Sequence, residues 1–113
     1  MRKVIYLVAA SFMILASCSG GVENAKTETV KVYGNCGMCK KTIEGALSDK
    51  EFIQEATWDV SSKELTVVYD EKQVQIDDIK QLVANVGYDS DSHRASDEIY
   101  SKLHSCCQYD RPE

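Results

Sequence analysis

The sequence predicts an α+β fold, a ferredoxin-like βαββαβ sandwich with an additional C-terminal helix. Three observations carry this. Apolar residues alternate in short runs near residues 28–33, 56–60 and 65–69, the period of half-buried strands. They recur with helical spacing over residues 39–48 and 76–86. The order strand, helix, strand, strand, helix, weak strand is a split βαβ pattern, in which an antiparallel sheet carries two helices on one face.

Each element has its own signal. Val30 and Val32 fall on one face of the first strand, and Gly34-Asn35 turns the chain into a cysteine loop. The first helix starts at residue 38 or 39 and runs to Ser48, with Ile43, Ala46 and Leu47 on its apolar side. Ala56, Trp58 and Val60 alternate, Ser61-Ser62-Lys63 makes a tight turn, and Leu65, Val67 and Tyr69 alternate again. The second helix spans residues 76–86 and buries Ile76, Ile79, Leu82, Val83 and Val86, with Gly87 as its C-cap. A fourth strand over residues 89–94 has a poor pattern. Ser96-Asp97-Glu98 starts a last helix that carries Ile99, Tyr100 and Leu103 up to Cys106-Cys107.

The N-terminus reads as a leader. Arg2 and Lys3 precede an almost wholly apolar stretch, residues 4–16, too short for a comfortable membrane span. Leu15-Ala16-Ser17-Cys18 follows and resembles a bacterial lipobox, in which cleavage leaves a diacylated cysteine. The alternative is an ordinary secretory signal with a cysteine near its cleavage site. The expected division is a signal peptide over residues 1–17, a tether over 18–27, a domain over 28–94, and a C-terminal helix with the CysCys tail over 95–113. Cys18 is the expected lipidation site, and the expected location is extracytoplasmic, on the periplasmic side of a Gram-negative membrane.

Charge excludes one class of function. Without Arg2 and Lys3, 11 of the 13 basic residues remain against 18 acidic ones. Such a surface repels phosphate backbones, so nucleic acid is not an expected partner. Five cysteines are present, and lipidation of Cys18 leaves Cys36, Cys39, Cys106 and Cys107. An even count in an exported chain normally suggests disulfides. A CxxC and a vicinal pair would each close a very short loop, so neither is a good staple.

Cys36-Gly37-Met38-Cys39 places two thiols at the N-terminus of the first helix. There the dipole and unpaired N–H groups favour thiolate. Paired thiolates are soft ligands for Cu(I), Hg(II) or Zn(II). Met38 offers a thioether, and Lys40 and Lys41 add positive charge nearby or are plain surface lysines. Cys106 and Cys107, with His104, form a second soft-metal handle that folds back over the loop, or else enter a disulfide. Trp58 reads as core and His93 as solvated.

The run Val30-Lys31-Val32-Tyr33-Gly34-Asn35-Cys36-Gly37-Met38-Cys39, then Ile43-Glu44, Trp58-Asp59-Val60, Leu65-Thr66-Val67-Val68-Tyr69-Asp70 and Gly87-Tyr88 resembles the heavy-metal-associated domain family. These are the small modules of copper chaperones, metal-pumping ATPases and periplasmic mercury-binding proteins. The resemblance covers about residues 28–94. It implies a non-enzymatic metal carrier, with Cys36 and Cys39 as ligands, Tyr88 supporting them from behind, Cu(I) as the first choice of ion and a metal efflux or transport component as partner. Many members carry Met two residues before the first ligand cysteine, where this chain has Gly34. The rival reading is a thiol–disulfide oxidoreductase. It lacks a proline to set opposite the motif, since Pro112 is the only one. The oligomeric state is not legible in the sequence.

Overall fold

The computed structural model describes residues 24–112. Cys18 and the leader before it lie outside them. The elements are β1 (Ala25–Lys31), α1 (Gly37–Ser48), β2 (Ile53–Trp58), β3 (Glu64–Asp70), α2 (Ile76–Ala84) and α3 (Asp97–Ser101), followed by a single 3₁₀ turn at Ser105–Cys107. This is the α+β, ferredoxin-like arrangement the periodicity predicts.

The sheet has three antiparallel strands in the order β1-β3-β2. Leu65 lies between Val30 and Trp58, and Val67 between Glu28 and Ala56. Leu65, Val67 and Tyr69 alternate inward along the central strand. The β2 register shifts between Ile53 and Glu55, so Ile53 and Trp58 both face inward despite their odd spacing. β1 starts at Ala25, so part of the expected tether forms strand. The hairpin turn depends on Asp59, whose Oδ1 accepts from the Ser61 and Ser62 amides at 2.8 and 2.9 Å.

The helices follow their patterns. α1 buries Cys39, Ile43 and Leu47 at four-residue spacing, and α2 buries Ile79 and Val83. Asp77 and Asp78 occupy the first turn of α2, and Gln75 and Asp78 form a capping box. α2 stops at Ala84, two residues before the expected end. Gly87, three residues on, has φ +109°, a left-handed conformation that other residues rarely adopt. A Cβ there would also lie 2.9 Å from Leu103 Cδ2.

Two expectations at the C-terminal end are corrected. The fourth strand over residues 89–94 reduces to one antiparallel bridge, Val32 to Ser90. The segment closes on itself instead. The Ser90 amide donates to the His93 carbonyl at 2.8 Å, and the His93 amide to Ser90 Oγ at 3.1 Å. Short polar side chains satisfy the backbone locally here and compete with a ladder. The last helix is also shorter than expected. Ser96 Oγ caps it by accepting from the Ile99 amide, but it ends at Ser101, and Cys106-Cys107 lie on the separate 3₁₀ turn.

The tail beyond that turn is bound to the domain. Tyr109 is buried and stacks on Tyr88 with centroids 5.5 Å apart. Its hydroxyl donates to the Gly87 carbonyl and accepts from the Asp89 amide, both at 2.8 Å. Tyr100 donates to the Tyr109 carbonyl at 2.6 Å. Arg111 reaches the fully buried Asp89 carboxylate with two nitrogens, at 2.8 and 2.9 Å. Burial alone would raise the Asp89 carboxyl. The Arg111 fork and the Ala95 amide (2.7 Å) outweigh it and hold the group below the usual carboxylate range.

Removing the fork leaves a buried carboxylate poorly compensated. Arg111→Ala is expected to destabilise the domain by about 3 kcal/mol, measured by urea unfolding at neutral pH. Because the Asp89 pKa is depressed on folding, this contribution is present above the ordinary carboxylate range and fades as pH falls through the folded value. The difference between wild type and Arg111→Ala should therefore shrink on acidification. A variant as stable as wild type at neutral pH would show that the tail is not held this way.

Candidate metal centre

The cysteine loop is set from beneath by Trp58. The indole is fully buried and donates from Nε1 to the Val32 carbonyl at 2.9 Å. Its ring lies against Gly34, where a Cβ would stand 2.9 Å from Cη2 and 3.3 Å from the Cys39 Cβ. The indole thus fills the space under the loop, and glycine is the residue that fits above it.

Cys36 is the N-cap of α1, in extended backbone, and Cys39 lies one turn inside the helix. Their sulfurs are 3.7 Å apart. Cys36 Sγ is half-buried at the mouth, whereas Cys39 is fully buried and donates to Asn35 Oδ1 at 3.0 Å. The tail brings two more sulfurs. Cys107 Sγ is 3.9 Å from Cys36 Sγ and 4.0 Å from Cys106 Sγ. Cys106 Sγ is exposed and lies 3.7 Å from the Met38 thioether. The sulfurs of Cys36, Cys106 and Cys107 all lie within 4.8 Å of one another. All four cysteines are free thiols.

Cys36 and Cys107 are pushed apart in acidity. The Cys39 amide is the main influence lowering Cys36. Partial burial opposes it, and the Met38 amide and the Cys39 and Cys107 thiols add to the lowering, bringing Cys36 to about 7. Burial, reinforced by Cys39, pushes Cys107 up to about 12. Tyr88 is buried beneath the sulfurs, and its hydroxyl is the one buried side-chain polar atom without a hydrogen-bond partner among the described residues. Burial, and then the neighbouring Cys39 and Cys107 thiols, keep that phenol protonated. A buried phenol beside Cys39 and Cys107 suits a site where one of those sulfurs becomes an anionic acceptor.

Other expected residues stand elsewhere. The Lys40 ammonium binds Glu44 at 2.6 Å and the Trp58 carbonyl at 2.9 Å, so it joins α1 to β2 rather than supporting the sulfurs. His104 is exposed and stays outside the group of mutually close donors. His93 bonds Ser92 Oγ through Nδ1 at 3.0 Å, and Trp58 is core. Sequence reasoning did not find Asn35, Asp89, Tyr109 or Arg111. The available signal was an aromatic and an arginine placed in a tail beyond the last expected element.

Comparison with known proteins agrees with this geometry. The chain is 30% identical over 63 residues to a copper chaperone, CopZ of Staphylococcus aureus, spanning 55% of this chain and 93% of the relative. It is 42% identical over 53 residues to a copper-transporting ATPase of Helicobacter felis, covering 47% of this chain but 7% of the ATPase. A zinc-transporting ATPase of Synechocystis is 41% identical over 56% of this chain and 9% of its own length. The chain thus spans under a tenth of either ATPase. Among solved structures, a CopZ metallochaperone superposes with TM-score 0.55 at 29% identity, over 57% of this chain and 98% of that one. Oxidised MerP from Ralstonia metallidurans shares the fold with TM-score 0.55 at 24% identity, over 58% of this chain and 93% of its own. Residues 29–89, just over half of the sequence, match the heavy-metal-associated domain, and the chain belongs to that family.

Proposed function

We propose that this chain binds Cu(I) through Cys36 and Cys39 and passes it by thiolate exchange to a metal efflux or transport component, as a lipid-anchored protein outside the cytoplasm. The observation that carries the metal reading is the reduced pair itself, with sulfurs 3.7 Å apart at the start of a 12-residue helix. A bis-thiolate complex of a monovalent ion carries one negative charge. The helix N-terminus stabilises such a charge by about 1–2 kcal/mol in partly buried geometry. Similarity to copper chaperones over nearly their whole length supports copper and a carrier role without catalysis. The zinc ATPase relative keeps Zn(II) as alternative cargo, and the family resemblance of the sequence keeps Hg(II). The anchor rests on residues 15–18 of the sequence.

Cu(I) displaces protons from the thiols it binds, so uptake depends on pH. Three outcomes are expected. Under anaerobic competition with a Cu(I) chelator, Cys36→Ser/Cys39→Ser should weaken binding by more than about a hundredfold. The single variant Cys36→Ser serves if the buried Cys39 position proves intolerant. Unchanged affinity in a folded variant, or catalytic reduction of insulin by wild type, would overturn the reading. In the metal-free protein, pH-dependent alkylation followed by peptide mass spectrometry should find Cys36 half-reactive near pH 7, against a reference of 9.0. That thiolate stabilises the fold fully above the unfolded value and ceases to do so as pH falls through about 7. A Cys36 that reacts only above pH 9 would contradict the geometry. Finally, Cys18→Ala should abolish fatty-acid labelling and free the protein from the membrane fraction; persistent labelling would refute the anchor.

A further inference from the structure

The family match ends at residue 89, yet half of the sulfur cluster comes from beyond it. Cys106 and Cys107 reach Cys36 because Tyr109 and Arg111, on either side of Asp110, are fixed to Gly87 and Asp89. The tail sulfurs are therefore held in place by a buried anchor two residues away.

The spacings discriminate between coordination geometries. With metal–thiolate bonds of about 2.3 Å, a linear pair needs sulfurs about 4.6 Å apart, a trigonal set about 4.0 Å and a tetrahedral set about 3.8 Å. Cys107 lies 3.9 Å from Cys36 and 4.0 Å from Cys106, and the third edge is within 4.8 Å. The two edges at Cys107 match a trigonal set. Its position has the marks of a ligand site: Cys107 and Tyr88 are buried on the inner side, the Tyr88 hydroxyl is unpartnered, and Met38 lies against Cys106 on the outer side.

We propose that Cys36, Cys106 and Cys107 form a three-thiolate site for one Cu(I) ion, so that the tail is a clasp that retains cargo captured by the CxxC pair. This rests on the copper-binding reading above. Cys36 is shared between the two arrangements. As the clasp closes, the bonds from Cys106 and Cys107 to the ion form and the bond to Cys39 breaks. Cys106 and Cys107 release their protons, one of which returns to Cys39, and the other leaves to water. No electron is transferred. Cys39 then resumes its hydrogen bond to Asn35. The consequence is slow release: an incoming thiolate must displace one of three ligands, two of them on a docked strap.

The test is X-ray absorption at the copper edge, with chelator-driven release kinetics, on anaerobic protein loaded with one Cu(I) per chain. Wild type should show three sulfurs around copper. Cys106→Ser/Cys107→Ser should show two, and should release copper about tenfold faster or more, since lost ligands appear mainly in the off-rate. The exposed Cys106→Ser alone, also expected at two sulfurs, covers the case in which the double variant fails to fold. If wild type holds copper with two sulfurs, or the tail variants match it in coordination and release, the clasp is refuted while the CxxC reading stands. A wild type that takes up no Cu(I) refutes both.

Discussion

A single buried carboxylate organises the half of the molecule that carries the sulfurs. Asp89 follows Tyr88 directly. Its carbonyl accepts from the Tyr33 amide at 2.9 Å, which fixes the strand leading into the cysteine loop. Its own amide donates to Tyr109, and its side chain takes the Ala95 amide and the Arg111 fork. The approach to Cys36, the floor beneath Cys39 and the strap bearing Cys107 thus meet at one residue. A buried ion pair is weak evidence for net stability, because desolvation offsets much of its attraction. Its force lies in geometry. The fork accepts few orientations, so it fixes where the tail lies as well as that it is attached.

The loop is held independently from the other side. Trp58 fills the space under Gly34, and its indole N–H satisfies the Val32 carbonyl at the point where β1 has ended. Lys40 ties the same region to β2 through Glu44, whose Oε2 also accepts from the Trp58 amide at 2.8 Å. The CxxC pair therefore sits on a rigid floor. The tail pair depends on a second, separable set of contacts. The two pairs touch, Cys36 to Cys107 at 3.9 Å, so substitutions in one are expected to couple to substitutions in the other.

How much of this could be read from sequence follows from the range of the interactions. α1, β3 and α2 were legible because each buries one face, and periodicity records that directly: Ile43 and Leu47, Leu65 and Val67, Ile79 and Val83. The position of Cys36 and Cys39 at a helix start was legible for the same reason. The fourth strand misled because residues 89–93 satisfy their backbone through Ser90 and His93, a local competition that hydropathy does not register. The last helix was drawn too long because Leu103 is needed against Gly87, after which the chain turns. Lys40 looked like support for the sulfurs because it is near them in sequence; its partners, Glu44 and Trp58, come from α1 and β2. The return of the tail was guessed from its cysteines. Its cause, Arg111 on Asp89 across 22 residues, leaves no periodic trace.

The electrostatics of the cluster explain how four close thiols can wait without mutual repulsion. Were all four ionised, like charges 3.7 to 4.0 Å apart at the three closest pairs would oppose folding strongly. The fold prevents this by dividing the sulfurs. Cys36, at the helix mouth, receives the Cys39 and Met38 amides and is the one lowered, to about 7, while burial pushes Cys107 up to about 12. In the metal-free protein negative charge is thus favoured on Cys36, at the helix N-terminus, and disfavoured on the buried Cys107. A soft cation therefore has a thiolate to meet in Cys36. Its own charge then makes ionisation of the remaining thiols favourable, each proton leaving as a bond to the metal forms. The ion thereby offsets the further negative charges that its own binding creates among sulfurs this close.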